Sequence, residues 1–267
     1  SNTVEPLVLP DLRYRKYKKF KKYGLLLSEK YSLVGISRRE GTGYSRLTAD
    51  LELSKSWQTE NGLIVRGTGN VLTAAYNENN LNTEGYLLKV YPLGALEFKY
   101  PFFKGRNNKS EVLIPVAQVV YSTDTSSPNR PIDEDSSTTE FDSTTLFKLK
   151  KIPGIDRQEN GLRLNAGLQY FYEYRNNYKY NVNLGQVYRN KNSEDFLPSS
   201  GLNGYESDIL LSGNLSFRKD LEMASTQVYS KNFTLKRSNT SLKLTRPRYQ
   251  IKTSLTNLVS DPSEGTS

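Results

Sequence analysis

The sequence is poor in the side chains that most enzymes use for chemistry. Its 267 residues include no His and no Cys, so it has neither an imidazole for a Ser-His or Cys-His nucleophile pair nor a thiolate for a metal site. It also has no G-x-x-x-x-G-K-S/T or G-x-G-x-x-G phosphate-binding motif. The sequence therefore predicts no catalytic, cofactor-binding or metal-binding residues, and a protein that is not an enzyme.

Two charged segments remain as candidates for binding. Residues 13–23 interleave seven Lys and Arg with four aromatic residues, a pattern that suits single-stranded nucleic acid, an anionic lipid surface or a solvated hairpin connection. Residues 122–145 contain twelve Ser and Thr and six acidic residues, without the spacing of a calcium-binding loop. This second segment predicts a long acidic loop.

The elements that position these segments are strands, because hydrophobicity alternates with a period of two. Even positions of residues 162–174 are Leu, Ala or Tyr, and most odd positions are polar, which predicts a strand with one apolar and one polar face. Residues 47–57, 178–188 and 209–217 show the same pattern. Weaker strand candidates are 63–76, 86–91, 95–102, 112–121, 146–152, 226–235, 241–246 and 249–256.

Strand length favours a membrane barrel over a soluble β-sandwich. Several candidates reach ten residues or more, whereas soluble strands average about five to six and membrane-spanning strands need about 9–11. Many of the 19 Tyr lie in or beside these strands, as in the aromatic girdles of outer-membrane barrels. The expected fold is all-β, an antiparallel transmembrane β-barrel. A soluble β-sandwich or solenoid stays open as the alternative, because it alternates as well.

One ordered block of the sequence resembles the lipopolysaccharide-assembly outer-membrane protein family, LptD. The positions that carry the resemblance are Asp133, Glu134, Asp135, Ser136, Phe141, Asp142, Leu146, Phe147, Gly154, Asp156, Arg157, Gly161 and Arg163. Residues 9–12, 37–42, 185–189 and 207–208 are similar to further family segments. The chain departs from the family at Asp133 and Thr145, where Asn is usual. The resemblance covers nearly the whole chain.

The resemblance implies that residues 1–267 are part of a single barrel domain, a partial wall of about 12 strands in which 122–145 is a long acidic loop. It implies transport of lipopolysaccharide and its insertion into the outer leaflet of the cell outer membrane, without a cofactor or nucleic acid. The implied partners are an LptE-like plug lipoprotein, outer-membrane lipids and a periplasmic LptA-like bridge, which docks through an N-terminal domain that this chain lacks.

The resemblance also implies a different environment for each face of the predicted strand 162–174. The apolar even face is expected to meet lipid, and the polar face is expected to line a wet lumen through Arg163, Asn165, Gln169 and Glu173. The excess of Lys and Arg, a net charge of +9, suits a substrate that carries phosphates and carboxylates.

Three further points are left open by the sequence. An independent 12-stranded outer-membrane pore would share these patterns, and so would a soluble β-protein that binds nucleic acid or polysaccharide through 13–23. Asp156 and Arg157 are adjacent, so in an extended strand they point to opposite faces and do not pair. We expect Arg157 to reach Glu134 or Asp135 in the acidic loop; the alternative is an exposed ion pair of about 0–1 kcal/mol.

Overall fold

The computed structural model describes residues 7–38, 43–80, 83–123, 135, 139–175, 177–193, 195–218 and 220–258. These residues form thirteen strands, a helix α1 (Ser143–Leu146) and a 3-10 helix (Pro198–Ser200). The strands are β1 (Leu7–Phe20), β2 (Leu25–Ser37), β3 (Gly43–Gln58), β4 (Ile64–Asn80), β5 (Thr83–Lys99), β6 (Phe102–Arg106), β7 (Lys109–Ser122), β8 (Gly161–Tyr174), β9 (Tyr178–Arg189), β10 (Ile209–Phe217), β11 (Leu221–Tyr229), β12 (Leu235–Arg246) and β13 (Tyr249–Leu258).

All strands belong to one antiparallel sheet. Strands that follow one another along the chain are paired, except β5 and β6. β5 and β6 both pair with β7, so they act as one long strand interrupted at Tyr100 and Pro101. Pro101 and Pro115 lie at this interruption and neither has a backbone N–H to donate to the ladder. The path therefore has twelve positions, with β1 and β13 at its two ends and no pairing between them in the described part of the chain. The prediction of an antiparallel sheet of about 12 strands, compatible with part of a barrel wall, is confirmed.

The sheet has two faces of opposite character. We call the face against which residues 139–160 and 190–208 pack the covered face, and the other the bare face. In β8, Arg163 and Asn165 on the covered face are 2% and 0% exposed, whereas Leu162 and Leu164 on the bare face are 44% and 38% exposed. Polar side chains are thus buried and apolar ones exposed, which is the reverse of a water-soluble fold and the arrangement of a membrane barrel.

The same inversion holds in strands far from β8. In β3, Arg46 and Thr48 are buried on the covered face, while Leu47 and Leu51 are exposed on the bare face. The register extends this pattern across the sheet because residues paired between strands share a face. No second sheet lies over the bare face within the described ranges, so the sandwich alternative is wrong.

The connections at the two ends of the sheet differ in length. At one end, called here the short-turn rim, every connection has at most five residues. These connections are 21–24, 59–63, 107–108, 175–177, 218–220 and 247–248. The long connections 123–160 and 190–208 both leave from the opposite end. The described segments 139–160 and 195–208 therefore reach the covered face from the same end of the sheet.

The weaker predictions need correction in four places. Residues 13–20 belong to β1 rather than to a break between strands, because backbone pairing does not require alternating hydrophobicity. Residues 146–152 are not a strand, since they lie in the segment that packs on the covered face. The candidate 226–235 contains a turn between β11 and β12, and 86–91 with most of 95–102 forms the single strand β5.

Candidate functional site

The segment 139–160 begins with a helical turn that its own side chains cap. Asp142 Oδ1 accepts hydrogen bonds from the backbone N of Thr144 and of Thr145, both at 2.8 Å. Thr145 Oγ1 in return accepts one from the Asp142 backbone N at 2.9 Å. This reciprocal pair is a capping box. It fixes the start of α1 and thereby directs Leu146 and Phe147 at the sheet.

Two glycines on the covered face make room for this turn. Gly167 of β8 pairs directly with Gly185 of β9. A Cβ atom at Gly185 would collide with the Leu146 side chain and with the Ala166 backbone O at 2.8 Å. One at Gly167 would lie 2.5 Å from the Leu184 backbone O and 3.1 Å from Phe147 Cζ. The absence of side chains at this pair therefore lets α1 approach the backbone of the sheet closely.

An apolar cluster joins the two segments to the covered face. Its members come from 139–160, from 190–208 and from the strands β9, β10 and β11. They are Phe141, Leu146, Ile152, Phe196, Leu202, Val187, Leu210 and Val228, with Phe147 packed against them. Two smaller apolar clusters of the covered face contact the segment 139–160 through Ile155 and Leu149. Apolar packing therefore helps to hold both segments in place.

Asp156 is the centre of a buried charge cluster that ties the segment to β3, β4 and β5. Arg46 Nη1 lies 2.5 Å from Asp156 Oδ1 and 2.6 Å from Asp135 Oδ2. Tyr76 donates a hydrogen bond to Asp156 Oδ1 at 2.7 Å, and Lys89 Nζ donates to the Asp156 backbone O at 3.2 Å. Asp156 is 2% exposed and Arg46 is 5% exposed. One arginine therefore links two acidic residues of the loop region to the sheet.

Asp135 is held by the backbone as well as by Arg46. Its Oδ1 accepts from the backbone N of Ile155 at 2.9 Å and of Asp156 at 3.1 Å. Burial raises the pKa of Asp135, but these N–H groups and Arg46 outweigh burial and hold the pKa below its usual range. Gly154, with a φ of +89°, has no space for a Cβ beside Asp135.

Glu159 is the centre of a second buried cluster, at the end of the segment. Arg189 Nε lies 2.6 Å from Glu159 Oε1, and Arg163 Nε lies 3.4 Å from Oε2. Arg163 also donates to the Leu149 backbone O, and Ser122 Oγ donates to the Glu159 backbone O at 2.6 Å. Burial raises the pKa of Glu159, but Arg163 and Arg189 outweigh it and leave the pKa lowered overall.

Lys151 is fully buried inside the segment, with 0% exposure. Its Nζ donates to the backbone O atoms of Thr145, Leu146 and Lys148 at 3.0, 2.7 and 3.2 Å. These carbonyls include the unsatisfied acceptors at the end of α1. Burial lowers the pKa of Lys151 to about 7. The Lys151 side chain therefore satisfies backbone carbonyls at the C-terminal end of α1.

A polar cavity remains between the segment and the covered face. Its volume is about 360 Å³, and its lining includes Arg66, Glu97, Gln118, Lys148 and Lys150. Lys150 Nζ lies 3.0 Å from an oxygen of Asp50, and Gln118 Nε2 donates to Glu97 at 3.1 Å. The lining also includes Leu93, Ala95, Phe147 and Leu149. The cavity therefore presents charges of both signs beside apolar side chains.

Two searches of the described residues were negative. No group of three His, Cys, Asp or Glu side chains is arranged to hold a metal ion in the part of the chain that the structure describes. Among the same residues, no helix is long and apolar enough to cross a membrane.

Comparison with known families decides the relationship of the chain. The model of the family described as LptD, LPS transport system D, matches residues 1–267, the whole sequence. The chain belongs to the LptD family. A comparison with curated proteins found no match.

LptD proteins transport and assemble lipopolysaccharide at the outer membrane, and this chain shares that function. Lipopolysaccharide is the family's substrate, and the other Lpt proteins are its general partners. The family acts in transport and assembly and is an outer-membrane family. The all-β antiparallel sheet agrees with this assignment.

The LptD-like motif residues fall into distinct structural roles. Phe141, Leu146 and Phe147 are in the apolar cluster, and Asp142 caps α1. Asp135 and Asp156 meet at Arg46, and Gly154 lies against Asp135. Gly161, with a φ of +102°, begins β8, and Arg163 binds Glu159. Asp133, Glu134 and Ser136 lie outside the described residues.

The four residues predicted on the polar face of β8 all lie on the covered face. Arg163 and Asn165 are buried there, and Asn165 Nδ2 donates to Gln118 Oε1 at 2.5 Å. Gln169 is half-buried, and Glu173 forms an ion pair with Lys179 at 2.9 Å. The four residues lie on the same face of β8, and Glu173 is the one nearest to the short-turn rim.

The described residues give partners for both Asp135 and Arg157. Asp135 binds Arg46 of β3, and Arg157 Nη2 lies 3.6 Å from Asp195 Oδ1 and donates to the Asp195 backbone O at 3.3 Å. The pairing of Arg157 with the acidic loop stays a prediction. The other expected partner, Glu134, lies outside the described residues.

Sequence reasoning missed several members of the two charge clusters. Arg46 was on the predicted polar face of its strand, but nothing in the sequence indicates that it meets Asp156, 110 residues away. The same holds for Tyr76, Lys89 and Arg189. Their common signal is a long polar or aromatic side chain on the polar face of a strand.

Proposed function

We propose that residues 1–267 form part of a single outer-membrane barrel domain, one section of the wall of a lipopolysaccharide translocon. The bare face contacts the hydrocarbon of the membrane, and the covered face looks into an aqueous lumen lined by the segments 139–160 and 190–208. The observation that carries the proposal is the inversion in β8, where Leu164 is exposed and Asn165 is fully buried. Exposing apolar rows is favourable only next to an apolar solvent.

The orientation follows from the two ends of the sheet. Outer-membrane barrels have short turns on the periplasmic side and long loops outside. We therefore place the short-turn rim in the periplasm and the origin of 123–160 and 190–208 at the cell surface. Both long connections then enter the lumen from the outer side.

The specific partners follow from the same geometry. An LptE-like plug lipoprotein would contact the polar covered face, and an LptA-like bridge would deliver lipopolysaccharide from the periplasmic side. The cavity beside Arg66 and Lys148 supports passage of phosphorylated sugar, because both side chains donate hydrogen bonds to phosphate. The ends of the sheet at β1 and β13 offer backbone groups for pairing with further strands.

The test is solvent accessibility measured on opposite faces of one strand. The chain has no native Cys, so a single Cys at Leu164, Leu168, Gln169 or Glu173 carries a unique spin label. In vesicles, labels at Leu164 and Leu168 should be relaxed by lipid-soluble oxygen, and labels at Gln169 and Glu173 by a water-soluble nickel complex. Equal access of the nickel complex to both faces would contradict the proposal.

A further inference from the structure

Two neighbouring turns of the short-turn rim repeat an unusual arrangement. Each places an arginine directly after an aromatic residue, as Tyr174 with Arg175 and Phe217 with Arg218. Both arginines have left-handed backbone angles, with φ of +50° and +51°. Glycine and asparagine are the residues that usually occupy this conformation, so the turn itself gives no reason for an arginine at either position.

The two arginine side chains lie against a continuous row of rings. The ring of Tyr178 lies 6.1 Å from that of Tyr174 and 4.7 Å from that of Phe217, measured between centroids. The Arg175 and Arg218 guanidinium groups lie 5.1 Å from the centroids of Tyr174 and Phe217 respectively. These distances are within the range of cation–π attraction. A guanidinium group therefore stands at each end of the row.

The ring row belongs to the bare face. Tyr174 follows the alternation of Leu162 and Leu164, and it pairs across the strands with Tyr178, which pairs with Phe217. Cation–π contact thus holds both guanidinium groups at the boundary between the exposed apolar surface and the rim. It keeps them away from the covered face.

Backbone hydrogen bonds fix the turns relative to each other. The Arg175 backbone N donates to the Asn108 backbone O at 3.0 Å, and the Arg218 backbone N donates to the Asn177 backbone O at 2.7 Å. Each turn is therefore bonded to the one before it along the rim. Adjacent turns are two strands apart, roughly 10 Å, which spaces the arginine backbones regularly.

Arg175 and Arg218 differ from neighbouring cations in their pairing. Arg246 lies 2.7 Å from Asp220, and Lys179 lies 2.9 Å from Glu173. Across the described ranges, neither Arg175 nor Arg218 forms an ion pair or a side-chain hydrogen bond. Their N–H groups are thus available to an external acceptor.

We propose that this rim site, Arg175 and Arg218 with the ring row between them, binds the phosphate groups of anionic phospholipids. The inference rests on the proposed function, because it needs the bare face to contact membrane. Aromatic rings of a barrel lie at headgroup level, so the guanidinium groups beside them reach the phosphate layer. A planar guanidinium offers paired N–H donors that match phosphate oxygens. The rings then contact the part of the acyl chains that lies next to the headgroups.

The decisive variant is R175G/R218G in the folded protein. Glycine adopts the left-handed conformation without strain, so the turns are retained while both cations are lost. Binding of phosphatidylglycerol is measured by lipid titration and native mass spectrometry. We expect the apparent affinity to fall about fivefold for each arginine removed, with binding of neutral phosphatidylcholine unchanged.

The matched control is R246Q, which removes one cation from the same rim but from a residue already paired with Asp220. We expect less than about a twofold change, since an exposed paired charge contributes little. R175K/R218K keeps the charge but loses the paired donors, so its affinity should lie between wild type and the glycine variant.

Three results would overturn the inference. They are an unchanged affinity in R175G/R218G, an equal loss in R246Q, or displacement of the lipid by millimolar inorganic phosphate, which would indicate a general anion site. If the affinity is unchanged while spin labels at Leu164 and Leu168 still report lipid, only the headgroup site fails. If the labels at Leu164 and Leu168 are instead accessible to the water-soluble nickel complex, the proposal that the sheet is part of a barrel wall fails.

Discussion

Arg46 and Asp156 are 110 residues apart in the sequence, and their side chains meet in a buried ion pair at 2.5 Å. The pair joins a strand of the wall to the segment that covers it. Because Arg46 also binds Asp135, its removal would take one ion-pair partner from two carboxylates at once. Breaking a buried pair on one side is far more costly than its net contribution suggests.

Replacing Arg46 with Ala should loosen the segment 139–160. We expect a loss of about 3–5 kcal/mol, the cost of breaking a buried ion pair on one side, measured as increased cleavage of the segment by chymotrypsin. Arg13→Ala removes an exposed ion pair with Asp11 and should leave the protection of the segment unchanged. Equal protection of the segment in wild type and Arg46→Ala would show that Arg46 does not anchor it.

The glycine pair beneath α1 predicts a steric effect that a second substitution relieves. Gly185→Ala places a methyl group against Leu146 and should cost about 1–3 kcal/mol, as overpacked positions do. Thermal unfolding would measure this loss. The double variant G185A/L146A should lose less than the sum of the two single variants, because the collision with Leu146 is relieved and only the close approach to the Ala166 backbone O remains.

Gly94 on the bare face provides the control for this experiment. A Cβ there meets nothing within 4 Å, so Gly94→Ala should be neutral or slightly stabilising. A loss at Gly94 as large as that at Gly185 would mean that backbone freedom, and not the contact with α1, sets the cost.

Lys151 predicts a rise in stability with alkaline pH. Its pKa is lowered by burial to about 7 in the folded protein, below the value of 10.5 for a free lysine. Between these two values the unfolded chain binds more protons than the folded one, so stability increases as pH rises. Thermal unfolding at pH 7 to 10 should show this slope, and Lys151→Met should reduce it. An identical slope in the variant would assign the effect to other groups.

Glu159 and Asp135 predict a loss of stability in acid, in the same direction as the effect of Lys151 but at lower pH. Both have lowered pKa values in the folded protein, so their stabilisation is present above the ordinary carboxyl pKa and is lost as pH falls through the folded values. The segment should become sensitive to an acid-active protease below about pH 4. Glu159→Gln should be sensitive already at neutral pH, since Arg163 and Arg189 then lack their partner.

The bare face predicts a dependence on depth in the membrane. Leu164→Lys should destabilise the folded protein in vesicles by about 2–4 kcal/mol if the position is near the bilayer midplane. Gln169→Lys, on the covered face of the same strand, should cost much less because its side chain remains in a polar environment. Urea unfolding in lipid vesicles measures both, and similar losses would remove the distinction between the faces.

Much of the sheet was predictable because β8, β9 and β10 alternate clearly between apolar and polar residues. β1 was not, since charged residues occupy both of its faces and hide the period of two. The false strand at 146–152 arose because Leu146, Leu149 and Ile152 pack onto apolar clusters of the covered face. The local sequence pattern shows that these three residues are apolar but does not show which residues they pack against.

The charge clusters were only half predictable. The acidic motif residue Asp156 was identified through its family resemblance, but its partner Arg46 lies on a distant strand. Pairing of this kind depends on register across several strands, from β3 through β8, and a single residue shift would move Arg46 to the bare face. A sequence shows which charges need partners and does not show which strand supplies them.

The interruption between β5 and β6 has a mechanical consequence. With Pro101 and Pro115 at the gap, a hydrogen bond from the Tyr100 backbone N to the Pro115 backbone O, at 3.3 Å, spans it. A sheet resists folding across its strands in proportion to the ladder bonds that must break. β7 stays paired with β8 from Lys109 to Ser122, so the gap divides only the β5–β6 side, and load on β6 passes to the rest of the wall through β7 alone.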